Sequence, residues 1–333
     1  MKKAMILGLI AAVIAASFFA YRRLNPRRPN ILFVLIDTLR ADHLSYFGYE
    51  RDTSPNIDAF AADNLSFSFA VSAAPWTPAS MASIFTGLYS AAHGMSPPNN
   101  REQALKQSAT LPQRITTLAE ALQNAGYATA AVISNPWMKP GFGFDQGFDL
   151  YIYKHRVRGE EINRSALKLL KQLAAANRPF FLYLHYMDTH NPYNPPGEYA
   201  GRYQTPLASR IYPPRQVKYM QLYDGEIRYV DWCIGRLFTA FRAAGLWDDL
   251  QVVLTSDHGE QFMEHGNQGH GYRLYNEEVR VPLFLKFGGH QGRIDWPVSL
   301  VDLFPTVLEM ARLRPPHPQQ GVSLISRRQA RRS

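Results

Sequence analysis

The 333-residue sequence contains a single cysteine, Cys233, so no disulfide can form within the chain. Disulfide cross-links are therefore excluded as a source of stability, and a lone cysteine is compatible with both oxidising and reducing compartments. The sequence also has no internal repeat and no glycine-rich nucleotide loop. These two absences disfavour a repeat architecture and a nucleotide site of the phosphate-loop type.

A basic surface is missing from the body of the chain, although the net charge is +9. Ten of the 36 lysines and arginines lie near the two ends, which leaves 26 basic against 27 acidic residues in between. No nucleic-acid partner is expected, because such partners need a concentrated basic face. The hydrophobic share of 46% and the charged share of 19% are ordinary for a globular protein and exclude global disorder. The ten terminal basic residues are Lys2, Lys3, Arg22, Arg23, Arg27, Arg28, Arg327, Arg328, Arg331 and Arg332.

One uncharged apolar run, residues 4–21, is long enough to cross a bilayer. A cleaved signal peptide is the alternative, but residues 18–20 (Phe-Phe-Ala) make a poor cleavage site. We therefore expect residues 1–29 to be a membrane anchor or signal segment with a basic linker, and we favour the uncleaved anchor. Four arginines follow the run and two lysines precede it. The positive-inside rule alone thus places the following domain on the cytoplasmic side.

Short apolar runs predict the buried strands of an α/β sheet. One run, residues 30–36, ends in Asp37, and another, residues 250–255, is soon followed by Asp257 and His258. In such sheets, ligands bind beyond the carboxyl ends of the strands, where these three side chains are expected. Two carboxylates and one imidazole, with a hydroxyl, make a plausible ligand set for a divalent metal.

The hydroxyl in this prediction comes from Thr77, which stands at the start of a predicted short helix. Thr77 suits the N-cap position, Pro78 suits the first helical position, and Gly87 ends the helix. A hydroxyl there lies among unpaired backbone N–H groups that bind oxyanions and stabilise an alkoxide. Thr77 is therefore a candidate nucleophile. The alternative is that Thr77 only caps the helix.

Three blocks of sequence, residues 36–44, 77–87 and 255–282, resemble the sulfatase family of the alkaline phosphatase superfamily. The blocks occur in the family's order, and lesser matches between them extend the likeness from residue 30 to about residue 312. The resemblance implies an α/β fold: a three-layer α/β/α sandwich with a mixed, mostly parallel central sheet. It places the catalytic domain at residues 30–325, and residues 326–333 then form a basic tail, expected to be disordered. The residues that carry the resemblance include Asp37, Thr77, Thr86, Gly87, Asp257, His258, Gly259, Glu260, His270, Arg280 and Pro282.

The chain departs from the typical sulfatase pattern at several positions. Typical members have a cysteine or serine that matures to formylglycine where this chain has Thr77, so an unmodified hydroxyl must act and no formylglycine is expected. The pattern's arginine is Met81 here, and its Lys-Trp-His is Ser134-Asn135-Pro136. A hydroxyl nucleophile with an Asp-His pair resembles phosphonate monoester hydrolases and lipoteichoic acid synthase-type phosphotransferases. An imidazole ligand also moves metal preference from calcium toward manganese, zinc or magnesium.

The resemblance implies a role for each candidate site residue. One divalent metal would be held by Asp37, Thr77, Asp257 and His258. Thr77, His190 and His270 are the expected catalytic residues: Thr77 attacks, His190 neutralises substrate oxygens, and His270 serves the leaving group. Asn135 and His265 are expected to contact the substrate, although for His265 a surface position is equally compatible with the sequence. His185 lies inside a predicted strand and is interpreted as a core histidine.

The expected function is a membrane-anchored, metal-dependent hydrolase that cleaves sulfate or phosphate esters through a covalent Thr77 intermediate. One alternative is a transferase of the phosphoglycerol or phosphoethanolamine type, and another is an inactive sulfatase-like binding domain. The substrate would be an anionic ester on a glycan, a lipid or a small molecule. Family members commonly act outside the membrane. This habit places the catalytic domain in the periplasm or outside the cell, on a single-pass anchor in the cell membrane.

Overall fold

The computed structural model describes residues 28–96, 110–204 and 214–330, and these build a twisted eight-stranded sheet with helices on both faces. The chain also forms one three-stranded and one two-stranded sheet within these residues. The strands are β1 Ile31–Ile36, β2 Leu65–Phe67, β3 Ala70–Val71, β4 Ala128–Ile133, β5 Leu150–Tyr153, β6 Phe180–Tyr186, β7 Gln251–Thr255, β8 Gln261–Phe262, β9 Gln268–Gly269, β10 Arg280–Val281, β11 Leu283–Lys286, β12 Gly292–Ile294 and β13 Val298–Ser299. The α-helices are α1 Pro55–Ala62, α2 Thr77–Thr86, α3 Ser90–His93, α4 Leu118–Asn124, α5 Gly159–Ala175, α6 Pro214–Ala243, α7 Asn276–Val279, α8 Leu303–Met310 and α9 Leu324–Ala330.

The main sheet has the strand order β12-β2-β11-β7-β1-β6-β4-β5. Its pairings are parallel except where β11 meets β7 and β2, which run antiparallel to it. This arrangement confirms the predicted mixed, mostly parallel sheet. Strands β1, β6 and β7 lie side by side at its centre, so their carboxyl ends meet at one edge of the sheet.

Alternation along β1 divides the interior into two hydrophobic cores, because successive side chains of a strand point to opposite faces. Ile31, Phe33 and Leu35 join the core that includes α2, α4 and α8. The side chains between them, with those of Leu254 in β7 and others, join the core that includes α1, α5 and α6. Both faces of β1 are therefore fully buried, as a three-layer α/β/α sandwich requires.

Three local predictions differ from the structure. Helix α2 begins at Thr77, with Trp76 as the residue before the first helical turn, so Thr77 stands one position later than predicted. The amphipathic pattern of residues 111–125 predicts a helix over that whole stretch, but α4 begins only at Leu118, because Thr117 forms a capping box with Glu120. The C-terminal segment is helix α9 up to residue 330 instead of a disordered tail, and its Leu324 is buried in the core.

No helix within residues 28–96, 110–204 and 214–330 is both long and apolar enough to cross a membrane. The predicted span at residues 4–21 lies outside the described residues.

The carboxylate of Asp231 in α6 caps the N-terminal end of α1. Its buried carboxylate accepts hydrogen bonds from the backbone N–H groups of Asn56 (3.3 Å) and Ile57 (2.8 Å) and from the Asn56 side-chain amide (2.7 Å). These donors belong to the first turn of α1, which has no intrahelical acceptors for them. The carboxylate thus links the helix after the β1 loop to the longest helix of that layer.

Asp231→Ala is expected to lower the free energy of unfolding by about 2–3 kcal/mol, because it leaves buried N–H donors without an acceptor. Urea unfolding followed by circular dichroism measures this change. The exposed Asp249 serves as the control, and Asp249→Ala should stay within about 0.5 kcal/mol of the parent. Equal values for the two variants would contradict the capping role.

Candidate active site

Three side chains that are distant in sequence converge at the carboxyl edge of the central strands. Asp37 follows β1, and Asp257 and His258 follow β7. One ligand atom from each lies within 4.8 Å of the other two, and all three residues are fully buried. The parallel pairing of β1 with β7 is what brings them together, as the sequence predicted.

One oxygen of each carboxylate is engaged, and the other has no hydrogen-bond partner. Asp37 Oδ2 accepts from Asn135 Nδ2 (2.5 Å) and His185 Nε2 (2.9 Å), whereas Asp37 Oδ1 has none. Asp257 Oδ1 accepts from the backbone N–H groups of Thr38 (3.2 Å) and His258 (3.0 Å), whereas Asp257 Oδ2 has none. Buried carboxylate oxygens are rarely left without a partner, so this pair indicates a missing positive charge.

The imidazole of His258 contributes a third lone pair. Its Nδ1 lies 2.9 Å from the carbonyl oxygen of Gly259, which can only accept, so Nδ1 carries the proton. Nε2 is the nitrogen that faces the cluster, 3.3 Å from Asp257 Oδ2 and 3.1 Å from Thr77 Oγ1. In the neutral imidazole with its proton on Nδ1, the lone pair of Nε2 faces those of the two carboxylates. A divalent cation fits this donor set, since oxygen and imidazole ligands suit manganese, zinc or magnesium.

Thr77 directs its hydroxyl at this cluster and not at its own helix. Oγ1 lies 3.1 Å from His258 Nε2 and 3.4 Å from Asn135 Nδ2, and the residue is 2% exposed. No side-chain capping hydrogen bond is present at the start of α2. Ser80, on the next turn of α2, donates to the carbonyl oxygen of Asp257 (2.7 Å) and so ties the helix to the β7 loop. The capping alternative for Thr77 is thus not the arrangement that the structure contains.

Two further histidines, His190 and His270, line the same site. The ring of His270 lies 4.3 Å from that of His258 and 5.1 Å from that of His190, measured between centroids. Glu260 Oε1 lies 3.0 Å from His270 Nδ1, and Oε2 of the same carboxylate accepts from the Tyr193 hydroxyl (2.9 Å). This pairing leaves Nε2 as the nitrogen of His270 that can face a substrate.

The charges of the site follow from burial and from these pairings. Burial alone would raise the pKa of Asp37, but the hydrogen bond from His185 and the neighbouring imidazoles hold that pKa well below its usual range. Burial opposes the charged form of His270, yet the Glu260 carboxylate raises the pKa of His270 to about 9. Burial lowers the pKa of His190. Asp37 is therefore a carboxylate at neutral pH.

The positions where the family pattern has basic residues carry neutral side chains that serve the fold. Met81 is fully buried in the core, and the Ser134 hydroxyl donates to the carbonyl oxygen of Val157 (3.1 Å). Arg40, close after β1, is fully buried, and its guanidinium binds Asp42 and Glu264. Among the described residues, the side chains that contact Asp37, Thr77 and Asp257 therefore carry imidazole or amide groups and no guanidinium or ammonium group.

Asn135 and His265, the two predicted substrate contacts, have different positions. Asn135 is buried and bonded to both Asp37 and Thr77, so it belongs to the cluster. His265 is exposed, lies 3.1 Å from Glu277 Oε2 and stacks on Tyr275. The structure therefore does not bring His265 to the other predicted residues.

Sequence reasoning missed two residues that hold the site together: His185, interpreted as a core histidine, and Glu260. His185 receives the Tyr183 hydroxyl on Nδ1 (2.8 Å), which fixes Nε2 as the donor to Asp37. The signal was the alternation of β6. Tyr183 and His185 point to one face, and that face packs against α2, the helix that begins at Thr77.

Comparison with known proteins shows the family and the fold of the chain. The family model described as Sulfatase matches residues 29–313. The chain is 24% identical to the uncharacterised sulfatase YidJ of Escherichia coli K12, over 92% of this chain and 72% of that protein. It is 26% identical to N-acetylgalactosamine-6-sulfatase of Canis lupus familiaris, over 87% of this chain and 64% of that protein. It shares its fold with phosphonate monoester hydrolase of Agrobacterium radiobacter, with a TM-score of 0.73, 20% identity, and coverage of 90% and 76% of the two chains.

His185→Phe is expected to weaken manganese or zinc binding by about 10- to 100-fold, because the ring is kept and the hydrogen bond that orients Asp37 is lost. Isothermal titration with each metal measures the affinity. Tyr183→Phe removes only the next bond in the chain and should have a smaller effect. His290→Phe, on an exposed loop, is the control and should bind metal like the parent. Unchanged affinity in His185→Phe would exclude this positioning role.

Proposed function

The chain belongs to the sulfatase family and is a sulfatase-family ester hydrolase; from this premise we propose that it is metal-dependent and uses the unmodified hydroxyl of Thr77 as its nucleophile. The observation that carries the proposal is the position of Thr77 Oγ1, 3.1 Å from His258 Nε2. There the hydroxyl stands beside two buried carboxylate oxygens that have no hydrogen-bond partner. A merely structural threonine has no need of such surroundings.

The metal would be held by Asp37, Asp257, His258 and Thr77. When bound, a divalent cation supplies Lewis acidity, which lowers the pKa of a coordinated hydroxyl and offsets charge on the reacting group. The protein's own contribution is to orient these ligands. Asn135 and His185 hold Asp37, and the Gly259 carbonyl oxygen holds His258.

Each residue of the site has one role in the reaction. The Thr77 hydroxyl loses its proton to solvent, and Oγ1 forms a bond to the sulfur or phosphorus of the ester while the bond to the leaving alcohol breaks. His270, held by Glu260, gives a proton to the departing oxygen, and His190 and Asn135 donate hydrogen bonds to the oxygens that do not react. Water then gives a proton to His270 and attacks the sulfur or phosphorus of the threonyl ester. This step releases sulfate from a sulfate ester, or a phosphate monoester from a phosphate diester, and Thr77 regains its proton from solvent.

The choice of reacting group follows from the charge that the site can balance. The family pattern's basic residues are replaced by Met81, Ser134 and Pro136, so imidazoles and one amide face the substrate. A site with fewer fixed cations favours a reacting group with one negative charge over a group with two. Sulfate monoesters and phosphate diesters carry one negative charge, whereas phosphate monoesters carry two near neutral pH.

Two alternatives remain distinct from this proposal. An inactive binding domain is disfavoured, because Asp37, Thr77, Asp257 and His258 are all present and converge. A transferase would share every step up to the threonyl ester and would differ only in the acceptor, an alcohol in place of water. No contact within the described residues favours that acceptor.

The N-terminal segment completes the proposal. Residues 4–21 form an uncharged apolar run of spanning length, and a short basic linker joins them to β1. We propose a single-pass anchor that holds the catalytic domain close to the outer surface of the cell membrane. Fractionation of cells that express the full chain tests this, and recovery in the soluble fraction contradicts it.

Thr77→Ala is expected to abolish turnover by about three orders of magnitude or more while the protein folds and binds metal, because the nucleophile is lost. Assays on aryl esters with added manganese, zinc, magnesium and calcium measure this. Thr239→Ala, on the exposed side of α6, should keep full activity. Intact-mass spectrometry should detect a sulfated or phosphorylated adduct at Thr77 in the parent during turnover. An active Thr77→Ala protein refutes the mechanism.

Specificity for the reacting group gives a separate expectation. Since the site offers few fixed cations, kcat/KM should be at least about tenfold higher for an aryl sulfate or an aryl phosphate diester than for the matching aryl phosphate monoester. The same leaving group in all three esters keeps the chemistry of departure constant. A preference for the monoester contradicts this account of the charge balance.

A further inference from the structure

A cavity lies beside the reaction site, and two of its lining residues are close neighbours in sequence of Thr77 and His270. It has a volume of about 800 Å³, and Pro75 and Gly271 are among its lining residues. Pro75 lies two residues before Thr77, and Gly271 follows His270 directly. A Cβ built on Gly271 would lie only 3.9 Å from the Pro75 carbonyl oxygen, so these two segments meet at one edge of the cavity.

The direction of the reaction connects this cavity to the leaving group. In an in-line displacement the leaving oxygen departs on the side opposite the attacking Thr77 hydroxyl. The residue assigned to that oxygen is His270, and from His270 the chain runs straight into the cavity wall formed by residues 271–274. The alcohol part of the substrate must therefore leave past this wall.

The lining of the cavity is about equally polar and apolar, and it carries one exposed positive charge. Asn267, Gln268 and Ser90 contribute amide and hydroxyl groups, and Arg273 is the only cation among the described lining residues. Arg273 is exposed and makes no ion pair with a described acidic residue. Such groups recognise hydroxyls and anions, and the neighbouring Tyr272, 54% exposed, offers an aromatic face.

Glu278, the one acidic residue in the lining, does not cancel this charge. It is buried, and its Oε2 accepts hydrogen bonds from the backbone N–H groups of Gly271, Tyr272 and Arg273 at 2.9, 3.4 and 3.3 Å. Its carboxylate is thus used to fold the wall, which places the Arg273 backbone at a fixed position. The guanidinium is left available to a ligand.

From these observations we propose that the cavity binds the alcohol part of the substrate as a sugar that carries a second anionic group, and that Arg273 recognises this anion. The proposal rests on the proposed ester hydrolysis at Thr77. A lipid tail fits less well, because amide and hydroxyl groups and one guanidinium interrupt the apolar part of the lining. Guanidinium groups pair with carboxylate or sulfate through two parallel hydrogen bonds, so a uronate or a second sulfate meets the requirement.

The test compares two ligands and two variants. The probe is a chondroitin 6-sulfate disaccharide, which has a uronate carboxylate next to the sulfated sugar; N-acetylgalactosamine 6-sulfate lacks that carboxylate. Arg273→Gln should raise KM for the disaccharide about tenfold and leave the monosaccharide and 4-nitrophenyl sulfate within about twofold. Arg314→Gln removes the same charge at an exposed position outside the cavity and should change none of these values. Equal effects of the two variants, or equal effects on all substrates, overturn the proposal.

Binding separates this proposal from the hydrolysis itself. Calorimetric titration of the disaccharide into the Thr77→Ala protein, with and without Arg273→Gln, needs no turnover. A loss of about tenfold in affinity with Arg273→Gln supports the cavity even when the parent hydrolyses neither sugar, a result that would count against the proposed reaction alone. Absence of disaccharide binding to the Thr77→Ala protein overturns the cavity proposal, whatever activity the parent shows on aryl esters.

Discussion

The arrangement on which the structure depends is the convergence of unshared electron pairs from Asp37, Asp257 and His258 in a fully buried position. Their mutual repulsion in a medium of low polarity costs free energy unless a cation balances it. The surrounding fold keeps the three groups in place. The other carboxylate oxygens accept hydrogen bonds, and His258 Nδ1 donates one to the Gly259 carbonyl oxygen, so no side chain can turn away. The cluster therefore offers a ligand set that could hold a divalent metal.

Much of the fold follows from sequence patterns that act locally. The largely apolar runs of β1, β6 and β7 are typical of central strands with both faces covered. From those strands it also followed that Asp37 and Asp257 meet, since parallel neighbours end at a common edge. Boundaries were harder to place. The shift of α2 by one residue removes the capping alternative for Thr77, because its hydroxyl turns to His258 instead of capping the helix.

The rest of the site could not be predicted because it depends on contacts between distant segments. The alternation of β6 places His185 on the face that packs against α2, but it does not show that the ring donates to Asp37, 148 positions earlier. Glu260 similarly gains its role only when the hairpin of β8 and β9 folds back and brings His270 to its carboxylate. The prediction of a disordered tail from residue 326 was wrong, because a helix extends to residue 330. Its arginines suggested a disordered segment, but Leu324 and Ile325 bury against the core and secure α9.

The proposed attack by an unmodified threonine has a consequence for how the reaction would end. A threonyl ester has a single oxygen on the reacting carbon, so the sulfate or phosphate can leave only when a second nucleophile attacks sulfur or phosphorus. That nucleophile enters where the first alcohol departed, beside His270, which then acts as the base after having acted as the acid. The occupant of the cavity next to His270 therefore determines whether the reaction is hydrolysis or transfer. When water occupies it the enzyme is a hydrolase, and when an alcohol is held there the same chemistry becomes transfer. The proposed sugar site bears on this choice, because departure of the first alcohol from the cavity before the second attack would admit water.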